Sequence, residues 1–190
     1  YLSPSQLDAK RTLLEEIGTK FKFIETACEC GSINYETLSE KDRYGLPIRT
    51  VICTDCGLIY QSPRLDSKSA KIFYSDRYRD LYLKDSGTIN EYFNSRFRRG
   101  IAILNWIYGQ LGYIPRKVLE IGCADGGILK AFQIAGSNVV GLDFNETYLK
   151  YGRNKGLDLR KGGINQANLS QMDLCILSHS LEHFSSIKEE

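Results

Sequence analysis

The sequence has little of what marks a membrane, secreted or nucleic-acid-binding protein. No apolar run reaches the roughly 18 residues that a membrane-spanning helix needs. The N-terminal residues show no basic segment followed by an apolar core, which a signal peptide would have. Its 190 residues include 25 Lys and Arg against 23 Asp and Glu, a net charge of +2, whereas general nucleic-acid binders have a basic excess. These features predict a cytoplasmic protein without membrane or nucleic-acid partners.

The composition is that of a folded globular chain. Hydrophobic residues make up 42% and charged residues 25% of the sequence, both ordinary for globular proteins. Element patterns and cysteine positions divide the chain into four predicted segments. These are an N-terminal helix (1–21), a zinc-binding module (22–65), a helical connector (66–116) and an incomplete Rossmann-like domain (117–190).

Strands and helices alternate after residue 117. The predicted strands are 118–121, 138–142, 157–160 and 173–177, and the helices between the first three are 127–135 and 145–154. Such alternation indicates an α/β fold with a parallel sheet wound by right-handed crossovers. In the strand order 3-2-1-4, the fourth strand would be an uncovered apolar edge. We therefore expect these four strands to be part of a larger sheet.

A glycine-rich turn, 120–127 (EIGCADGG), joins the first strand to the first helix. Small residues let a ligand approach the backbone closely, and ligands bind at this edge of open α/β sheets. Gly122, Ala124 and Gly127 fit a dinucleotide site. Glu120, Gly122, Ala124 and Gly126 fit the pattern of S-adenosylmethionine sites instead.

The residues around this turn favour S-adenosylmethionine. The Glu120 carboxylate would attract a sulfonium and an ammonium group but repel a pyrophosphate. Asp143, after the second strand, can accept hydrogen bonds from ribose hydroxyls of either cofactor, so it does not discriminate. A Walker loop is excluded because no Gly-Lys-Ser/Thr follows the turn.

Three segments resemble successive motifs of class I S-adenosylmethionine-dependent methyltransferases: 118–127 (VLEIGCADGG), 141–143 (GLD) and 177–184 (LSHSLEHF). The resemblance implies that the Glu120–Gly126 turn surrounds the methionine part of the cofactor. It further implies that Asp143 binds the ribose and that Phe144 lies against the adenine, and Ser178 is a further candidate for cofactor binding. The family's acidic residue after the third strand is replaced here by residues 162–165 (GGIN).

Four of the six cysteines form two close pairs, Cys28 with Cys30 and Cys53 with Cys56, separated by 22 residues. Four thiolates can close a tetrahedral structural zinc site. A redox pair would need a thioredoxin-like context, and four buried cysteines without metal are the remaining alternative. The pattern favours Zn²⁺, since small loop-rich segments seldom fold unaided.

The same region resembles the zinc-binding N-terminal module of sugar C-methyltransferases. The matching segments are 44–47 (YGLP), 53–60 (CTDCGLIY) and 62–64 (SPR). That family has C-x-x-C-G at the first knuckle, whereas here Ala27 stands at the first cysteine position and Cys28 follows. The resemblance leaves two arrangements open, a shifted loop with four cysteine ligands or a site with three.

The only two histidines, His179 and His183, follow the fourth strand with Glu182. A zinc site of the H-x-x-E-H type needs a helix, but a strand precedes this segment. A histidine can act as a base during methyl transfer. The resemblance implies that His183, and next His179, lines the acceptor site. Alternatively, the segment only holds its loop.

Together these patterns predict a methyltransferase that uses S-adenosylmethionine. The resemblance implies a small-molecule acceptor, specifically a nucleotide-linked sugar or saccharide-pathway intermediate. Two other functions stay open. One is a non-catalytic zinc-containing binding module with a vestigial methyltransferase fold. The other is a zinc-ribbon nucleic-acid binder, for which Arg96, Arg98 and Arg99 form a small basic cluster, although the near-neutral charge weighs against it.

Overall fold

The structure is a computed structural model that describes residues 2–78, 81, 87–164 and 171–181. Its described residues form two compact units, one up to residue 81 and the other from residue 87 onward. The predicted Glu182 and His183 lie outside the described residues.

The first unit begins with a capped helix and continues with short strands. The Ser3 side chain caps α1 by accepting a hydrogen bond from the Gln6 backbone N–H, and the Ser3 backbone N–H donates to the Gln6 side-chain oxygen, which forms a capping box. Asp66 caps α2 through the Ser69 backbone. The elements are α1 Pro4–Glu16, β1 Phe23–Ile24, β2 Tyr35–Ser39, β3 Thr50–Cys53, β4 Ile59–Gln61, β5 Arg64–Leu65 and α2 Ser67–Ile72, which continues as a π-helical turn Phe73–Arg77.

Two small antiparallel sheets organise this unit. Strands β2, β3 and β4 form one sheet in that order, and β1 pairs with β5 in the other. The buried core of the unit consists of Leu13, Phe21, Leu46, Phe73 and Leu81. Leu46 belongs to the matching segment 44–47, so this segment supplies part of the core.

The second unit contains a four-stranded parallel sheet. Its strands are ordered β8-β7-β6-β9, with every neighbouring pair parallel, which confirms the predicted α/β class and the 3-2-1-4 order. The elements are α3 Ile89–Leu111, β6 Lys117–Ile121, α4 Gly127–Ile134, β7 Asn138–Asp143, α5 Glu146–Arg153, β8 Asp158–Lys161 and β9 Leu174–Ile176.

Helix α3 packs closely against α4 because of two glycines. A Cβ at Gly100 would lie 2.6 Å from the Ile128 carbonyl oxygen, and one at Gly127 would lie 2.7 Å from the Phe93 carbonyl oxygen. The sequence pattern predicts one apolar face along α3, and among the described residues this face is covered as far as Ile103 and Leu104. Phe93 is buried, whereas Tyr108 is 54% exposed. The close approach positions the first half of α3 beside the glycine-rich turn.

Within the described residues, no helix combines the length and the apolar character that crossing a membrane requires.

Candidate cofactor site and cysteine cluster

The glycine-rich turn follows β6 at the carboxyl edge of the sheet. Gly122 (φ 72°) and Gly126 (φ 73°) both adopt left-handed backbone, which glycine tolerates without steric cost. The backbone N–H groups of Gly122 and Cys123 donate to the Leu142 carbonyl at 2.8 and 3.0 Å. The turn is therefore fixed to the end of the neighbouring strand β7.

Asp143 ties two loops together at this edge. Its Oδ2 accepts a hydrogen bond from the Ala124 backbone N–H at 2.8 Å, and its Oδ1 accepts one from the Asn145 N–H at 2.8 Å. Each carboxylate oxygen can accept a second hydrogen bond. The structure therefore brings Asp143 against the turn, as the sequence predicts, and leaves it acceptor capacity for a ligand.

Two non-glycine residues at this edge have strained backbone. Among the described residues, only Ala124 (φ 52°) and His179 (φ 57°) combine a side chain with positive φ. Such conformations cost free energy and concentrate at functional sites. Ala124 stands where the methyltransferase pattern has its middle glycine, and His179 lies in the loop after β9. Both belong to segments that the sequence marks as functional.

Glu120 is the buried carboxyl group of the site. Its side chain is 0% exposed, and its Oε1 accepts a hydrogen bond of 2.6 Å from Arg96, whose side chain is 12% exposed. Burial raises the pKa of Glu120 to about 8, against the opposing effect of Arg96, and Asp125 and Asp143 add to the rise. Burial lowers the pKa of Arg96, but Glu120, Tyr92, Asp125 and Cys123 together outweigh burial, so the net shift of this pKa is upward.

This ion pair changes the electrostatics expected from the sequence. The sequence argument places a lone carboxylate ahead of the turn, which would favour a cationic ligand. In the structure, the Glu120 carboxyl is buried with a raised pKa and lies against the Arg96 guanidinium. The site therefore offers a cation and a carboxyl group side by side instead of a single negative charge.

Four buried polar atoms near this edge have no hydrogen-bond partner among the described residues: Arg96 Nε, Glu120 Oε2, Ser178 Oγ and Ser180 Oγ. Buried polar groups are normally paired, so such atoms call for a ligand, ion or water. A Cβ at Gly122 would lie 2.8 Å from the Ser180 Cβ, which places Ser180 directly against the turn. The predicted Ser178 lies two residues before Ser180 in the same loop after β9.

Sequence reasoning missed Arg96 and Ser180 as members of this site. Arg96 was grouped with Arg98 and Arg99 as a basic cluster, but the structure separates them. Arg98 and Arg99 are exposed, whereas Arg96 turns toward Glu120. The only available signal was helical phase, since Arg96 lies one turn after the buried Phe93 and one turn before Gly100.

Phe144, the predicted adenine contact, lies near Gly163. Phe144 is half-buried, and a Cβ at Gly163 would lie 3.4 Å from its Cζ. Gly163, which belongs to the segment that replaces the family's acidic residue after β8, therefore lies beside the Phe144 ring. His179 is exposed, while the companion candidate His183 lies outside the described part of the chain.

The two cysteine pairs meet in the first unit. The Sγ atoms of Cys28, Cys30, Cys53 and Cys56 all lie within 4.8 Å of one another. The separations are 3.4 Å for Cys28–Cys56 and 3.7 Å for Cys30–Cys53. Four thiolates about 2.3 Å from a tetrahedral Zn²⁺ would be about 3.8 Å apart. The cluster therefore has the size of a four-cysteine zinc site.

The first knuckle is a shortened version of the second. In the second knuckle, the Gly57 N–H donates to the Cys53 carbonyl, and the Cys53 N–H donates to the Leu58 carbonyl. In the first knuckle, the Gly31 N–H donates to the Cys28 carbonyl, and the Cys28 N–H donates to the Ser32 carbonyl. Each hydrogen-bonded loop is thus one residue shorter. Gly31 (φ 93°) and Gly57 (φ 78°) turn both loops. Of the two arrangements left open by the sequence, this geometry favours the shifted loop with four cysteines.

Comparison with known proteins finds a family that is similar to part of the second unit. Residues 119–189 match the family model described as "Methyltransferase domain". The match begins within β6 and includes the glycine-rich turn, Asp143 and the segment after β9. No curated protein is similar to the chain at a significant level.

Solved structures similar to the chain include several methyltransferases. The plantazolicin methyltransferase BpumL, in complex with SAH, is 17% identical over 63% of this chain and 49% of its own, with a TM-score of 0.45. The amino pentose methyltransferase CalS10 from Micromonospora echinaspora is 19% identical over 50% of this chain and 41% of its own, with a TM-score of 0.42. Magnesium protoporphyrin IX methyltransferase from Synechocystis PCC 6803, with bound SAM, is 20% identical over 64% of this chain and 65% of its own, with a TM-score of 0.46.

The chain is short relative to these structures. It spans about half the length of the first structures it matches, with shares of 49%, 41% and 57% of their chains.

Proposed function

We propose that this protein transfers a methyl group from S-adenosylmethionine to a small-molecule acceptor. The observation that carries the proposal is the glycine-rich turn bound to Asp143 at the carboxyl edge of the central strands, within a methyltransferase domain. In open α/β folds this edge is where ligands bind.

The residues present fit S-adenosylmethionine. The turn from Glu120 to Gly126 would hold the methionine part, Asp143 the ribose hydroxyls and Phe144 the adenine, with Ser178 nearby. The unpaired buried atoms of Glu120 and Ser178 match a cofactor that carries both hydrogen-bond donors and acceptors. When bound, the cofactor supplies an electrophilic methyl group on a sulfonium.

The chain's own residues would orient the acceptor and remove a proton. Methyl transfer is an in-line displacement, so much of its acceleration comes from positioning. An acceptor hydroxyl or carbon also needs a base. His183 and His179, both after β9 in the chain, are the candidates for this base.

Calorimetric titration of the protein with S-adenosylhomocysteine, and separately with NAD, tests the cofactor assignment. We expect binding of S-adenosylhomocysteine and none of NAD. Asp143→Ala should weaken this binding at least about tenfold, because a hydrogen bond to a charged group contributes about 1.5–3 kcal/mol. Asp158→Ala is the matched control, because Asp158 is an exposed carboxylate on β8. Binding of NAD alone would contradict the proposal.

We also propose that Cys28, Cys30, Cys53 and Cys56 bind one structural Zn²⁺. The support is the close approach of all four Sγ atoms and the two glycine-turned knuckles around them. Metal analysis should find about one zinc per chain, and Cys56→Ser should lower that content. Cys175→Ser is the control, since Cys175 is an exposed cysteine in the other unit. Equal zinc content in the two variants would refute the assignment.

For the acceptor, we propose a nucleotide-linked sugar or a saccharide-pathway intermediate. This assignment follows the resemblance of the first unit to the module of sugar C-methyltransferases. Two of the segments that match this module contribute buried residues to the first unit. Leu46, in segment 44–47, is 1% exposed, and Ser62, in segment 62–64, is 0% exposed. Ser62 accepts a hydrogen bond from the Thr26 N–H and donates one to Glu25.

Methyl transfer from radiolabelled donor to a panel of nucleotide sugars tests the acceptor class. Label in a nucleotide sugar is the expected result. Tight donor binding without transfer to any of them would contradict the sugar assignment and favour the non-catalytic alternative.

A further inference from the structure

Ser62 joins the two segments of the first unit that carry the cysteine pairs. It is 0% exposed and follows β4, the strand after the second knuckle. Its backbone extends the β3–β4 hairpin, because the Ser62 N–H donates to the Arg49 carbonyl at 3.3 Å and the Arg49 Nε donates to the Ser62 carbonyl at 2.6 Å. Arg49 comes directly before β3, so Ser62 is fixed to the strand that ends at Cys53.

The Ser62 side chain makes the connection to the first knuckle. Its Oγ accepts a hydrogen bond from the Thr26 N–H at 3.2 Å and donates one to Glu25 Oε2 at 2.8 Å. Arg49 donates to both carboxylate oxygens of Glu25, at 3.1 and 3.2 Å. Thr26 lies two residues before Cys28. The chain that enters the first knuckle is therefore hydrogen-bonded to the hairpin that carries the second.

The two ends of the first knuckle are held in different ways. Its exit leads into β2, where backbone pairing places Tyr35 opposite Cys53. At its entry, β1 pairs with β5 as far as Ile24, and the next two residues then bond to Ser62. Because the C-x-C loop has one residue less than C-x-x-C with which to adjust, the position of its entry bears directly on where Cys28 lies.

We propose that Ser62 is a positioning residue for the zinc site, which fixes the entry of the first knuckle so that Cys28 and Cys56 can bind the same ion. The Sγ atoms of these two cysteines lie 3.4 Å apart. The inference rests on the proposed function of the four cysteines as zinc ligands. Ordering backbone costs free energy, so a knuckle that is already held in place binds the metal more tightly. Groups that orient metal ligands without touching the metal typically change metal affinity by about 10-fold to 100-fold when they are removed.

Competition between the protein and a colorimetric zinc chelator tests the inference, since it gives the dissociation constant of zinc independently of methyl transfer. Ser62→Ala should raise this constant by about 10-fold to 100-fold. Ser69→Ala is the matched control, because Ser69 is a buried serine of the same unit, 3% exposed, whose Oγ accepts the Lys22 N–H at 2.9 Å. This variant loses the same kind of hydrogen bond outside the knuckles, so it should change the constant by less than about 3-fold.

Arg49→Lys serves if the alanine variant at Ser62 does not fold. It keeps the charge but loses the guanidinium fork that holds Glu25 and the Ser62 carbonyl, so it should raise the zinc dissociation constant at least about 3-fold, the loss expected for one hydrogen bond. Arg11→Lys is its control, since Arg11 is 73% exposed on α1.

The outcomes separate this inference from the zinc assignment itself. Equal effects of Ser62→Ala and Ser69→Ala on the zinc dissociation constant, or no effect of Ser62→Ala, would overturn the inference. No difference between Arg49→Lys and Arg11→Lys would overturn it as well. If the unmodified protein binds no zinc, the assignment of the four cysteines as zinc ligands fails.

Discussion

The contact between Gly122 and Ser180 gives the sharpest test of the site's architecture. A Cβ added at Gly122 would lie 2.8 Å from the Ser180 Cβ and 3.5 Å from its Oγ, at a backbone φ of +72°. Left-handed backbone costs a residue with a Cβ roughly 1–2 kcal/mol, and overpacking costs roughly 1–3 kcal/mol. We therefore expect Gly122→Ala to lower the free energy of unfolding by roughly 2–5 kcal/mol.

A second glycine separates the two contributions. Gly136 also has positive φ (+96°), but a Cβ there would meet nothing within 4 Å. Gly136→Ala should therefore lower the free energy of unfolding only by the cost of left-handed backbone, roughly 1–2 kcal/mol. The single tryptophan, Trp106, lies on α3 of the same unit. Its fluorescence during urea unfolding therefore reports on this unit.

A double-mutant cycle tests the contact itself. In a Ser180→Gly background the opposing Cβ is gone, so Gly122→Ala should cost no more than Gly136→Ala. In a Ser180→Ala background the Cβ remains, so the full cost should persist. If Gly122→Ala lowers the free energy of unfolding equally in both backgrounds, the loop after β9 does not pack against the glycine-rich turn as described.

Two further predictions concern α3 and the buried carboxyl. Gly109 is an exposed interior position of α3 with nothing within 4 Å of an added Cβ, whereas Gly112 is its left-handed C-cap at φ 74°. Gly109→Ala should raise the free energy of unfolding by about 0.5–1 kcal/mol, and Gly112→Ala should lower it by about 1–2 kcal/mol. If thermal unfolding shows changes of the same sign for both variants, the C-cap at Gly112 is contradicted. The pKa of Glu120 is raised from 4.5 to about 8. Between these two pH values, Glu120 keeps its proton in the folded protein but has lost it in the unfolded chain. Stability should therefore fall as pH rises from about 4.5 to about 8, and Glu120→Gln should flatten this fall. An unchanged pH profile in that variant would refute the assignment.

Local sequence patterns determined much of the fold. The alternation of strands and helices after residue 117 predicted the sheet and its order, because hydrophobic periodicity and turn residues act over short distances. The glycines at 122 and 126 and the cysteine pairs likewise marked their turns. Strand β2, Tyr35–Ser39, escaped prediction because four of its five residues are exposed and it shows no alternating apolar pattern.

The composition of the candidate site depended on contacts between distant segments. Arg96 meets Glu120 across 24 positions, and Ser180 meets Gly122 only when β9 lies beside β6. The sequence alone predicts which segments carry the proposed chemistry, since motifs are local in the chain. Only the tertiary structure decided that Glu120 is buried against a cation and that the short first knuckle still brings four sulfurs together. Burial, charge pairing and close packing arise from residues that are far apart in the chain and become neighbours on folding.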